Sequence, residues 1–77
     1  MSADHFEIIM ELLLGRQPFR AFTVRLKSGN KIEIDHPTAI NVIGSVAVFN
    51  SPGSVPIYFD FDSVSDIVDA PARDVLT

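Results

Sequence analysis

The sequence predicts an α+β domain that is mostly β. One N-terminal helix packs on a small, strongly bent antiparallel sheet, or on a partly open barrel of five to six strands. Three observations predict it. Residues 4–14 carry apolar side chains at helical spacing. Pro18 to Asp35 alternates apolar and polar residues around a glycine turn. Beyond it lie short apolar runs separated by Gly, Pro, Ser and Asn, with no internal repeat. The expected division is a single domain over 1–77, with a helix over 4–14, the sheet over 19–69 and a loose tail over 70–77.

In the helix, Phe6, Ile9, Met10 and Leu13 form one stripe, and Leu14 widens it. Ser2 or Asp4 can cap its start, and Gly15 is placed to end it. Ile8 and Leu12 fall outside the stripe. A helix apolar over so much of its circumference is either deeply covered or touches another chain, which makes Ile8 and Leu12 the candidate interface residues.

Pro18 cannot continue a helix and biases Gln17 toward extended geometry. Phe19 and Phe22 are expected to anchor this connector and the first strand to the core. Phe22, Val24 and Leu26 then alternate with Thr23, Arg25 and Lys27, and Ile32 and Ile34 with Lys31, Glu33 and Asp35. Directly opposed residues share a face in an antiparallel pair. A loop of Ser28, Gly29 and Asn30 pairs Leu26 with Ile32, Val24 with Ile34 and Arg25 with Glu33, with Gly29 or Asn30 left-handed.

His36-Pro37 breaks the second strand. Ala39 to Ile43 is a short third strand with Ile40 and Val42 on one face. Val46 to Phe49 is a continuous apolar run, expected to be covered on both sides. Asn50 to Ser54 is a loop by composition. Ile57, Phe59 and Phe61 point inward from a fifth run, with Tyr58 and Asp60 outward. Asp62 to Ser65 suits a helical turn, and Ile67-Val68 a last short strand.

Together the elements resemble a group of short, uncharacterised bacterial proteins. There a leading helix precedes Pro-Phe-Arg-x-Phe, a strand, a glycine turn, a second strand and His-Pro. Here these are Pro18-Phe19-Arg20-Ala21-Phe22, Gly29 and His36-Pro37. The resemblance covers roughly Leu12 to Pro37, with weaker agreement to Ile67. Ala21 stands where that group often has proline, and Ser28 where it often has aspartate. The resemblance implies a fold order and no activity. The order of elements is also that of Sm-like proteins and resembles Src-homology-3-like barrels, an analogy of fold that carries no function.

Composition narrows the function classes. At 77 residues, with 47% hydrophobic and 21% charged, the chain suits one small globular domain. It has no cysteine, which excludes disulfides, thiolate chemistry and cysteine zinc sites. The first fifteen residues are acidic where a signal peptide is basic, and no apolar run approaches the length of a membrane span. A cytoplasmic protein with no membrane association is the expectation. A net charge of −4 disfavours a general nucleic-acid binder. The charges are uneven, however. Five of the six basic residues lie between Arg16 and Lys31, and five of the ten acids lie in the last eighteen residues. Ordinary solvated faces account for this, as does a basic patch or head-to-tail attraction between copies.

No constellation points to catalysis. Asp35 and His36 are neighbours on a strand and so face opposite ways. Asp60, Asp62 and Asp66 suggest calcium ligands, but the sixth position is Ser65 and the twelfth Pro71, where that loop needs glycine and glutamate. No catalytic residue, cofactor or metal ligand is assigned. The preferred expectation is a non-enzymatic interaction module, either homo-oligomeric or bound to another protein. The alternative is an Sm-like RNA- or DNA-binding protein using Arg16, Arg20, Arg25, Lys27 and Lys31, with Phe19 or Tyr58 stacking on a base.

Overall fold

The computed structural model describes residues 1–50, 53 and 55–75. It is the α+β architecture expected: helix α1 (Ala3–Gly15) and six strands in two three-stranded antiparallel sheets that do not close into a barrel. The strands are β1 (Phe22–Leu26), β2 (Lys31–Ile34), β3 (Ile40–Ile43), β4 (Val46–Phe49), β5 (Ile57–Asp60) and β6 (Val64–Val68). The first sheet has the order β2-β1-β6 and the second β3-β4-β5.

Ser2 caps α1, its hydroxyl accepting from the His5 N–H at 3.1 Å. Phe6 and Met10 are buried, and Leu13 and Leu14 pack on the same cluster, so the apolar stripe is the face that meets the sheets. Phe6 meets Phe59 of β5 edge to face, with ring centres 6.4 Å apart. Around them lie Phe22 and Val24 of β1, Ile32 and Ile34 of β2, Ile40, Ala47 and Val64. Phe19 packs against this core and meets Phe22 edge to face, as expected of the connector.

The first hairpin keeps its expected faces but not its register. Phe22 pairs with Ile34, Thr23 with Glu33, Val24 with Ile32, and Arg25 with Lys31 rather than Glu33. The loop is Lys27, Ser28 and Gly29. Leu26 N–H bonds to the Asn30 carbonyl at 2.8 Å, and Gly29 N–H to the Leu26 carbonyl at 2.9 Å. A three-residue hairpin loop is a turn followed by one left-handed residue, so the glycine must come last rather than in the middle. Gly29 has φ +98°, and the whole ladder moves by two positions. A shift of two leaves every side chain on its face.

The strand expected at Ile67-Val68 begins earlier, at Val64, and the helical turn before it spans Phe61–Ser63. Asp60 caps that turn by accepting from Ser63 N–H and Oγ at 3.1 and 3.0 Å. β6 then runs antiparallel to β1, with an irregularity between Arg25 and Leu26.

Two further expectations are overturned. The tail is not loose through residue 75. After β6 it crosses the outer face of the first sheet. The buried Thr23 donates its hydroxyl to the Ala70 carbonyl at 2.8 Å, Glu33 accepts from Ala72 N–H at 2.7 Å, and Lys31 Nζ donates to the Val75 carbonyl at 3.3 Å. Val75 is buried there, outside the main core cluster. Residues 76 and 77 of the expected tail, and 51, 52 and 54 of the expected loop, lie outside the described residues. The second correction concerns β4. It is the centre of its sheet but covered on one side only: Ala47 is buried, whereas Val46 is 42% exposed.

Candidate interaction surfaces

The basic residues of the hairpin region are brought against the acidic C-terminal strand. Antiparallel pairing sets Arg25 of β1 opposite Asp66 of β6. The two form a bidentate pair, with Arg25 Nε donating to Asp66 Oδ1 at 2.6 Å and Nη2 to Oδ2. Arg16, at the end of α1, grips Asp69 with both terminal nitrogens, at 2.9 and 2.6 Å, and also donates to the Arg20 carbonyl at 3.0 Å. Arg20 approaches the same carboxylate at 3.7 Å. Hydrogen bonding from Arg25 holds the Asp66 carboxyl below the usual carboxylate range, against the opposing effect of burial and with help from the Arg25 charge. Hydrogen bonding from Arg16 does the same to Asp69. The guanidinium groups of Arg16 and Arg25 are correspondingly harder to deprotonate, again chiefly through these hydrogen bonds. Lys31 is tied to Val75, and Lys27 lies exposed in the turn. The five cations therefore share one region, but three of them hold carboxylates of their own chain.

The second sheet has a different outer surface. Direct pairing puts Ile43, Val46 and Asp60 in one row and Asn41, Val48 and Tyr58 in the next, all on the face away from the core. Ile43 is 75% exposed and Tyr58 71%. Among the described residues nothing covers them. The outward pole of α1 adds Ile8, 55% exposed, and Leu12, 63% exposed, where the helical pattern places them. Ile8 also lines a groove of about 620 Å³ between α1 and β3, together with Glu7, Glu11, Ile40 and Val42.

Of the carboxylates considered for calcium, Asp60 caps a turn and Asp66 holds Arg25. Among the described residues no three histidine or acidic side chains gather as metal ligands, and no helix is long and apolar enough to cross a membrane. Asp35 and His36 lie exposed at the end of β2.

No protein-family profile, curated protein or solved structure matches this chain. The candidate surfaces therefore stand on their geometry. Ile8 and Leu12 were legible from helical spacing. The outer face of the second sheet was not singled out, although the outward positions Ile43 and Tyr58 are its signal: two large apolar side chains where a solvated strand carries polar ones.

Proposed function

We propose that the protein is a non-enzymatic interaction module that associates with a second copy of itself through the outer face of the second sheet, with Ile8 and Leu12 of α1 as an adjoining contact. The observation that carries this is the unequal covering of the two sheets. The tail seals the outer face of the first sheet, burying Thr23 and Val75. The second sheet presents Ile43, Val46 and Tyr58 to solvent. Its edge strands are also nearly free of charge: β3 has none and β5 only Asp60, whereas β2 carries Lys31 and Glu33. Depletion of charge is the compositional mark of an interface core. A cytoplasmic setting belongs to the same proposal and rests on the cysteine-free composition.

Light scattering over a dilution series, at low and high salt, tests it. The expected mass exceeds the 8.5 kDa of one chain, falls on dilution and is not reduced by salt. Salt insensitivity follows because the basic and acidic regions are paired within one chain. A monomer at every concentration would sink the proposal. Ile8→Asp with Leu12→Asp separates the helix pole from the sheet: unchanged mass removes the helix from the contact.

The nucleic-acid alternative has less support, because Arg16 and Arg25 are engaged with Asp69 and Asp66. Its signature is salt-sensitive RNA binding lost in Arg20→Glu with Lys27→Glu.

A further inference from the structure

The groove between α1 and β3 has a different character from the open sheet face. It touches Ile40, Asn41 and Val42 alike. Successive side chains of a strand point to opposite faces, so a groove in contact with all three runs along the strand's edge. The register says what that edge offers. Asn50 N–H bonds to the Ala39 carbonyl at 2.7 Å, which continues the β3–β4 ladder. Counting in twos, Asn41 and Ile43 turn their backbone groups toward β4. Ile40 and Val42 turn theirs away from it, into the groove. β3 is an edge strand, and no described strand lies on that side.

The walls are consistent in polarity. Among the described residues, Glu7 and Glu11 are the only charged ones that line the groove. Gly15, the last residue of α1, lines it too, and the last turn of the helix contains no basic residue. The carbonyls of that turn add partial negative charge. Arg16, the next residue, is committed to Asp69. The floor is apolar, formed by Met10, Leu14, Ile40 and Val42.

We infer that this groove binds an extended segment of a different protein, added as a fourth strand alongside β3. The segment carries apolar side chains at alternate positions and Lys or Arg facing Glu7 and Glu11. Backbone groups of Ile40 and Val42 supply the main-chain hydrogen bonds, and the acidic helix wall supplies selectivity for charge. A four-residue strand is about 13 Å long, which sets the segment's ordered core at four or five residues. A second copy of this chain fits less well, since it brings a net charge of −4 to an acidic groove. The inference goes beyond the proposed self-association and does not need it.

A displayed library of random heptapeptides, selected on the protein with Glu7→Lys/Glu11→Lys as counter-target, tests this. The Ile43→Lys background keeps self-association out of the measurement. Enriched peptides are expected to alternate apolar residues with Lys or Arg. The best of them, resynthesised, should shift the amide resonances of Ile40 and Val42 and bind at least about tenfold more weakly to the charge-reversed protein. Val42→Pro removes one outward N–H at an edge, where proline is tolerated, and should abolish binding with both glutamates in place. Circular dichroism of both variants establishes that they fold. No enrichment over the counter-target, enrichment of acidic or uncharged peptides, or shifts confined to the second sheet's outer face would each overturn the inference. So would a self-association of the chain with Ile43 in place that Val42→Pro abolishes while no peptide binds, because the occupant would then be a second copy.

Discussion

Replacing Ile43 by lysine separates association from folding. Ile43 is 75% exposed, so the monomer loses little packing. A surface substitution of this kind changes stability by no more than about 0.5 kcal/mol. Lysine is also a residue that natural proteins place on strand edges to prevent pairing. Association responds differently. Fully burying an isoleucine contributes about 1.5–3 kcal/mol, and Ile43 retains three quarters of its surface to bury. That leaves roughly 1–2 kcal/mol for each copy. A two-fold contact uses the residue twice, so its loss is on the order of 2–4 kcal/mol. The dissociation constant should weaken roughly 30- to 1,000-fold. Sedimentation velocity over a wide concentration range reads this directly, with a thermal melt confirming that the variant is folded. A wild-type dimer whose dissociation constant is unchanged by Ile43→Lys would refute the placement of the contact on this face.

The tail and the ion pairs give further expectations. Asp66 and Asp69 have folded pKa values below their unfolded ones, because Arg25 and Arg16 hydrogen-bond the charged forms. Their contribution is complete above the unfolded value of about 3.9 and is lost as pH falls through the folded values. Denaturant melts of Asp66→Asn with Asp69→Asn should therefore lose less stability than wild type between neutral pH and about pH 3. Val75→Ala removes apolar volume where the tail lies beside Lys31 and should cost about 1–2 kcal/mol in a denaturant melt. Gly29→Ala forces an L side chain to φ +98° and should cost about 1–2 kcal/mol in a thermal melt, with no loss of packing. Where the dimer predominates, each tenfold rise in concentration adds about 0.7 kcal/mol per chain, which raises the melting temperature by roughly 3–6 °C. Ile43→Lys should flatten that dependence.

What was legible in the sequence was periodic, and what was not depends on distant segments meeting. The alternation from Phe22 to Ile34 gave the faces of β1 and β2, but a shift by two preserves alternation, so it could not give the register. The loop's need for a left-handed last residue decided it, and Gly29 was already the signal. The helical stripe separated Phe6 and Met10 from Ile8 and Leu12 as burial does. The apolar run Val46 to Phe49 misled, because such a run reads alike whether both faces are covered or one is partly open. The tail has no period at all. It is held by Glu33, Lys31 and Thr23, residues at least 39 positions away, and their roles appear only once β6 has returned to β1. The same return turns a basic stretch over 16–31 and an acidic one over 60–74 into Arg25–Asp66 and Arg16–Asp69 pairs, separated by 41 and 53 positions.

The distribution of charge is the strongest reason to regard the open face as more than imperfect covering. The chain has six basic and ten acidic residues, enough to give every solvent-facing strand a polar surface. On the first sheet it does so. Thr23, Arg25, Lys31, Glu33 and Asp66 occupy the outer positions, with Val68 the one apolar residue among them, and several of them hold the tail that covers them. On the second sheet the outer positions are Asn41, Ile43, Val46, Val48, Tyr58 and Asp60. The one charge among them, Asp60, is occupied with Ser63 at the end of the strand. If this face met only water, a lysine or glutamate at position 43, 46 or 58 would improve solubility at no cost to the core, because the core lies on the other side of the sheet. Apolar residues at those three positions are what the proposed self-association requires, and through residue 75 the tail lies on the other sheet.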